Sequence, residues 1–174
     1  MDLRYPIGRF RPPDIIDAAT VAQWIGEIAA APGQLRDAVR GLDDSQLETP
    51  YRPEGWTVRQ VVHHLPDSHV NSYIRFRLAL TEDEPTIKPY NEAKWAELPD
   101  ARSGPAEDSL RLLETVHARW VALLRGMSAA DFERTFHHPA SGIMRLDRNV
   151  GLYAWHGRHH IAHITTLRDR LGWK

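Results

Sequence analysis

The chain has 174 residues, with 22 Lys and Arg against 23 Asp and Glu, and it contains no cysteine. That length fits one domain, 1–174, with a sizeable core, and the near-balanced, interspersed charge argues against the one-sided basic surface of a nucleic-acid binder. Without cysteine there are no disulfides, thiolate ligands or cysteine nucleophile, so any transition-metal site must use histidine or carboxylate.

The opening segment, MDLRYPIGRFRPP, lacks an apolar run of signal length, and no stretch approaches the ~18 apolar residues of a membrane span. The expectation is a soluble, cytoplasmic protein with no membrane partner. Tyr5 to Pro13 carries three prolines and a glycine, which predicts an extended arm lying on the domain. A first helix follows. Thr20 and Gln23 form a capping-box pattern, and Val21, Trp24, Ile25, Ile28, Leu35, Val39 and Leu42 recur at helical spacing. Pro32 and Gly33 are expected to bend or interrupt it.

Tyr51 to Trp56 reads as a loop, and Thr57 with Gln60 caps a second helix reaching about Leu80. Pro66 within it cannot donate to the carbonyl of Val62, which predicts a kink beside His64. Thr81 to Pro105 is a long polar connection with one short helix expected, and Tyr90, Asn91 and Trp95 are candidates for the mouth of a pocket. A third helix runs from about Glu107 to Arg125 on the stripe Leu110, Leu113, Val116, Trp120, Val121 and Leu124. Ser128 with Asp131 starts a short helix to about Phe136. His137 to Asn149 is a polar connection, and Val150 to Leu171 is the last long helix. Four main helices without strand alternation predict an all-α four-helix bundle with long connections.

The histidines carry the chemistry. On a wheel at 100° per residue, Tyr153, Ile164, Leu167 and Leu171 define the apolar stripe of the last helix. His160 falls near its centre and His156 within it, His163 lies at its margin, and His159 points toward the polar side. Residues four apart sit about 40° and about 6 Å from one another, so the imidazoles of His156 and His160 can converge on one ion. A lone histidine on an apolar face is more often a hydrogen-bonded core residue than a ligand. Two at ligand spacing reverse that balance, because burying both without a shared partner is costly. The second helix does not decide by periodicity. His69 lies near the centre of its apolar stripe, where a core residue bonded to backbone is the simpler reading; His64 lies at the margin, and His63 on the far side as a solvated residue.

The segment Trp56-Thr57-Val58-Arg59-Gln60-Val61-Val62-His63-His64-Leu65, followed far downstream by His156-x-x-x-His160, resembles the DinB superfamily and within it the YfiT-like branch. The likeness extends to YPIGRF, PYRPEGWTVRQVVHH, NSYIRFRLALTE and WHGRHHIAH, and so spans nearly the whole chain. It departs at Pro66, where a helix-compatible small residue is expected. The resemblance implies a four-helix bundle binding one divalent metal per subunit through His64, His156 and His160, with Zn2+ ahead of Ni2+, in a homodimer. It further implies a metal-dependent hydrolase or, in related proteins, a thiol S-transferase using bacillithiol or a similar low-molecular-weight thiol.

Three neutral imidazoles leave a coordination position for water or a small-molecule substrate. Hydrolysis, which the resemblance puts first, is the expected reaction, with thiol transfer close behind on the same three ligands. In thiol transfer, a thiol cosubstrate would supply the nucleophile that this cysteine-free chain lacks. A third possibility is a metal-stabilised bundle that binds without turnover, against which three ligands rather than four argue. Asp67, one turn after His64, is the candidate general base or the partner orienting a ligand imidazole; the bland alternative is a surface carboxylate paired with Arg59 or another cation.

Overall fold

The computed structural model describes residues 2–173, so the two end residues of the expected domain lie outside the described residues. Four long helices form the frame: α1 (Ala18–Val39), α3 (Val58–Thr81), α6 (Ala106–Arg125) and α8 (Leu146–Leu171). Each of α1 and α3 packs against both α6 and α8, so α1 faces α3 across one diagonal of the bundle and α6 faces α8 across the other. Short helices α2 (Asp44–Leu47), α4 (Glu92–Trp95), α5 (Pro99–Ser103) and α7 (Ala129–Glu133) lie in the connections. No helix among the described residues is long and apolar enough to cross a membrane.

Capping explains several boundaries. The Thr57 hydroxyl accepts from the Gln60 backbone N–H while Gln60 reaches back to the Thr57 N–H, as the sequence predicts, and Ser128 with Asp131 repeats the device. At α1 the sequence expectation fails: the cap is Asp17, whose carboxylate accepts from Thr20 N at 2.8 Å. An aspartate three residues upstream meets the same need with a charged acceptor at the positive helix end. Pro32 does not interrupt α1, nor does Pro66 break α3, and both prolines are buried inside continuous helices. Each removes one helical hydrogen bond.

The connection after α7 was expected to hold no strand. It forms a hairpin of β1 (Thr135–His138) and β2 (Gly142–Arg145), paired Phe136 to Met144, with Gly142 turning the chain at φ 77°. Four-residue strands are too short for alternation to register in the sequence. α8 accordingly begins at Leu146, four residues before the expected Val150.

Two apolar clusters fill the bundle. One holds Ile28, Phe76, Trp120 and Val150; the other holds Leu35, Leu65, Leu113 and Ile164. On three of the four long helices a histidine lies at the level between these two sets: His69 on α3, His117 on α6, and His156 and His160 on α8. A polar layer thus sits between two greasy halves. The N-terminal arm crosses α8, where the Trp155 indole N–H donates to the Gly8 carbonyl at 3.1 Å and the Phe10 ring meets Trp24 and Trp155.

Candidate metal centre

His64 from α3 and His156 and His160 from α8 each offer a ring nitrogen, and the three nitrogens all lie within 4.8 Å of one another. The closest pair is His64 Nε2 to His156 Nε2, at 3.3 Å. Two nitrogens each bonded to one ion at the usual Zn–N length and tetrahedral angle would lie about 3.3 Å apart. The donor set therefore fits a borderline divalent ion without rearrangement of this pair. Burial pushes the His64 imidazole down to about 4, and burial likewise holds His156 and His160 well below the ordinary histidine range. All three are neutral at pH 7, the form that ligates metal.

The three rings open onto a cleft of about 320 Å³, whose other walls include Tyr51, Trp56, Glu92, and Arg4 and Tyr5 of the arm. The Trp56 ring stands 4.7 Å from that of His64 and 6.3 Å from that of His160. It is half-buried, and so serves both as packing and as cleft wall. A second depression, lined by Ser68, Tyr90, Asn91 and Tyr153, reaches His156 from the other side. Tyr90 and Asn91 thus lie beside a pocket, and Asn91 also caps α4 by accepting from Lys94 N.

Several histidines behave differently from their sequence expectation. His63 is buried rather than solvated: its Nδ1 lies 2.7 Å from the Ser109 hydroxyl and its Nε2 donates to the Gly104 carbonyl at 3.1 Å. His69 is a core residue, but its ring nitrogens meet His117 and His156 instead of backbone. His159 is buried too, because Trp155 stacks on it at 4.4 Å and Tyr5 of the arm covers it at 5.6 Å. His163 donates from Nε2 to the Arg4 carbonyl and stacks on Tyr51 at 3.9 Å. His159, His160 and His163 also bring ring nitrogens within 4.8 Å of one another.

Asp67 stands apart from the three imidazoles. Among the described residues its carboxylate has no hydrogen bond or ion pair to them, and it does not pair with Arg59, which is held by Asp44 and Glu48. Burial and the nearby Asp100 push its carboxyl up to about 6. The carboxylate that does line the cleft is Glu92, at the start of α4. Glu92 lies in the polar connection, where no periodicity singles out one carboxylate from its neighbours.

Residues 27–164 match the DinB superfamily. A protein of Bacillus mycoides (strain KBAB4) named "putative metal-dependent hydrolase" is 58% identical over 172 residues, covering 99% of both chains, and one of Bacillus cereus (strain 03BB102) with that name matches equally well. YfiT from Bacillus subtilis, described as a probable metal-dependent hydrolase with an unusual four-helix bundle topology, aligns with a TM-score of 0.97 at 50% identity over 100% of both chains. The four-helix bundle protein TT2238 shares the fold at a TM-score of 0.57 and 20% identity, covering 82% of this chain and 95% of its own. Because the family match covers residues 27–164, most of the sequence, the chain belongs to the DinB superfamily.

Proposed function

We propose that the protein is a metal-dependent hydrolase whose single divalent ion, zinc in preference to nickel, is held by His64, His156 and His160. The observation that carries this reading is the convergence of three neutral imidazole nitrogens from two neighbouring helices at an open cleft. An ion held there would supply Lewis-acid polarisation of a scissile carbonyl or phosphoryl oxygen and, by lowering the pKa of water toward about 7, a nucleophile at neutral pH. The chain's own contribution is placement. Trp56 and Tyr51 restrict the cleft, and Glu92 stands at its wall as a proton acceptor. Asp67 keeps the role of an alternative base only through its raised carboxyl. The set His159, His160 and His163 is less suited to catalysis, because the N-terminal arm lies over it: Tyr5 covers His159, and the Arg4 carbonyl holds His163 Nε2.

The test is a screen of ester, amide and phosphoester substrates with zinc-loaded protein, with and without a low-molecular-weight thiol, alongside His160→Ala. Thiol-independent cleavage lost in the variant is the expected result. Turnover only with thiol, yielding its adduct, would overturn hydrolysis in favour of transfer. Sedimentation tests the expectation of a homodimer.

A further inference from the structure

Behind His156 runs a line of hydrogen bonds that uses one group from each long helix. His117 Nδ1 on α6 lies 2.6 Å from the Ile28 carbonyl oxygen on α1, His117 Nε2 lies 2.8 Å from His69 Nδ1 on α3, and His69 Nε2 lies 3.1 Å from His156 Nδ1 on α8. His69 and His117 are 0% and 2% exposed, so water does not replace these partners. The line begins where a helical bond is missing. In an α-helix the carbonyl of residue 28 accepts from the N–H of residue 32, and residue 32 is proline, which has none. Pro32 therefore leaves the Ile28 carbonyl free to accept a hydrogen bond from His117 Nδ1–H.

The direction of the line follows from its end. A carbonyl oxygen only accepts, so the proton of the His117 ring is on Nδ1. His117 and His69 are buried and, among the described residues, no carboxylate bonds to either ring, so each holds a single ring proton; His117 Nε2 keeps its lone pair and accepts from His69 Nδ1–H. His69 Nε2 then accepts from His156 Nδ1–H. What remains on His156 is a bare Nε2, the atom 3.3 Å from His64 Nε2. By contrast, the buried Nδ1 atoms of His159, His160 and His163 have no partner among the described residues.

We propose that His117 and His69 are positioning residues that lock His156 as its Nδ1–H tautomer, so that its Nε2 lone pair faces the metal cleft, with the carbonyl freed by Pro32 as the anchor. The role rests on His156 being a metal ligand. Partners that orient a ligating histidine are commonly worth 10–100-fold in metal affinity. Here the partner is a second imidazole, itself oriented by a third, where a carboxylate or backbone group would be usual.

Nitrogen-15 NMR of the histidine rings in the metal-free protein reads the tautomers directly. His117, His69 and His156 should all carry their proton on Nδ1, and an Nε2–H tautomer at His156 would overturn the proposal whatever the metal does. Zinc titration gives the second readout. His117→Leu, which removes both bonds, should weaken zinc binding about 10–100-fold and release His156 to populate the other tautomer, whereas His117→Gln, which keeps an acceptor for His69, should recover most of the affinity. Unchanged affinity and tautomer in a folded His117→Leu protein would contradict it. His156→Ala separates the two claims: if zinc affinity survives that change, the ligand assignment fails, while the tautomer pattern of the wild-type chain still decides the hydrogen-bond line.

Discussion

His64 and His156 are 92 positions apart in the chain, yet their Nε2 atoms approach to 3.3 Å. Both rings are neutral, so without an ion at most one proton can lie between them. With an ion, both lone pairs point at one centre. Single replacement of His64, His156 or His160 by Ala should therefore reduce bound metal from one per chain to well below half in elemental analysis after dialysis. His63→Ala, whose ring serves Ser109 and Gly104, and His159→Ala, whose ring is packed under the arm, should keep full stoichiometry.

Acid should unfold the metal-free protein readily. Burial lowers the His64, His117, His159 and His163 imidazoles to about 4, against 6.5 in the unfolded chain. Between those values the unfolded state binds protons that the folded state does not, so stability falls as pH drops below 6.5 and levels off below about 4. Each such proton steepens the loss by at most about 1.4 kcal/mol per pH unit. Urea midpoints from pH 8 to pH 4 measure this, and a flat profile would show that the rings are not buried neutral.

The two carboxylates differ in place: Glu92 lines the cleft, and Asp67 stands apart from it. Asp67 has its folded pKa raised to about 6 from 3.8, so it opposes folding above pH 6 and is neutral toward it below about 4. Asp67→Asn should raise stability at pH 8 by about 1–3 kcal/mol and leave it unchanged near pH 3.5, with metal stoichiometry intact. Glu92→Gln should lower kcat about 10²–10⁴-fold if Glu92 is the proton acceptor at the cleft wall. A loss of that size in Asp67→Asn alone would return the role to Asp67.

The apolar stripes of the sequence locate the four long helices because each of those helices buries one face in the bundle. Val58, Val61, Leu113, Trp120, Ile164 and Leu167 all lie in the core. The pair His156 and His160 emerges from the same wheel. His64 does not: it sits at the stripe margin, and the DinB resemblance is what selects it. His159 and His63 defeat the wheel for one reason, since a second layer covers their outward faces: the N-terminal arm over the first, the start of α6 over the second. His117 lies four residues after Leu113 and three before Trp120, within the third stripe, so the sequence did carry a sign of it. Its partner His69 is visible only once α3 and α6 are set side by side.

Close approach of α1 and α8 depends on Gly151, where an added Cβ would sit 2.8 Å from the Trp24 ring. Gly151→Ala forces that buried indole to shift, and the expected cost is about 1–3 kcal/mol in thermal or urea unfolding. Metal stoichiometry should be retained, because the site lies more than a turn farther along α8.

The most direct measurement is a crystal structure of zinc-loaded protein with anomalous data at the zinc edge. The account predicts one ion per chain bound by His64, His156 and His160, with its remaining position facing the cleft walled by Trp56 and Glu92. An ion held by His159, His160 and His163, or one closed off by a fourth protein ligand, would contradict it.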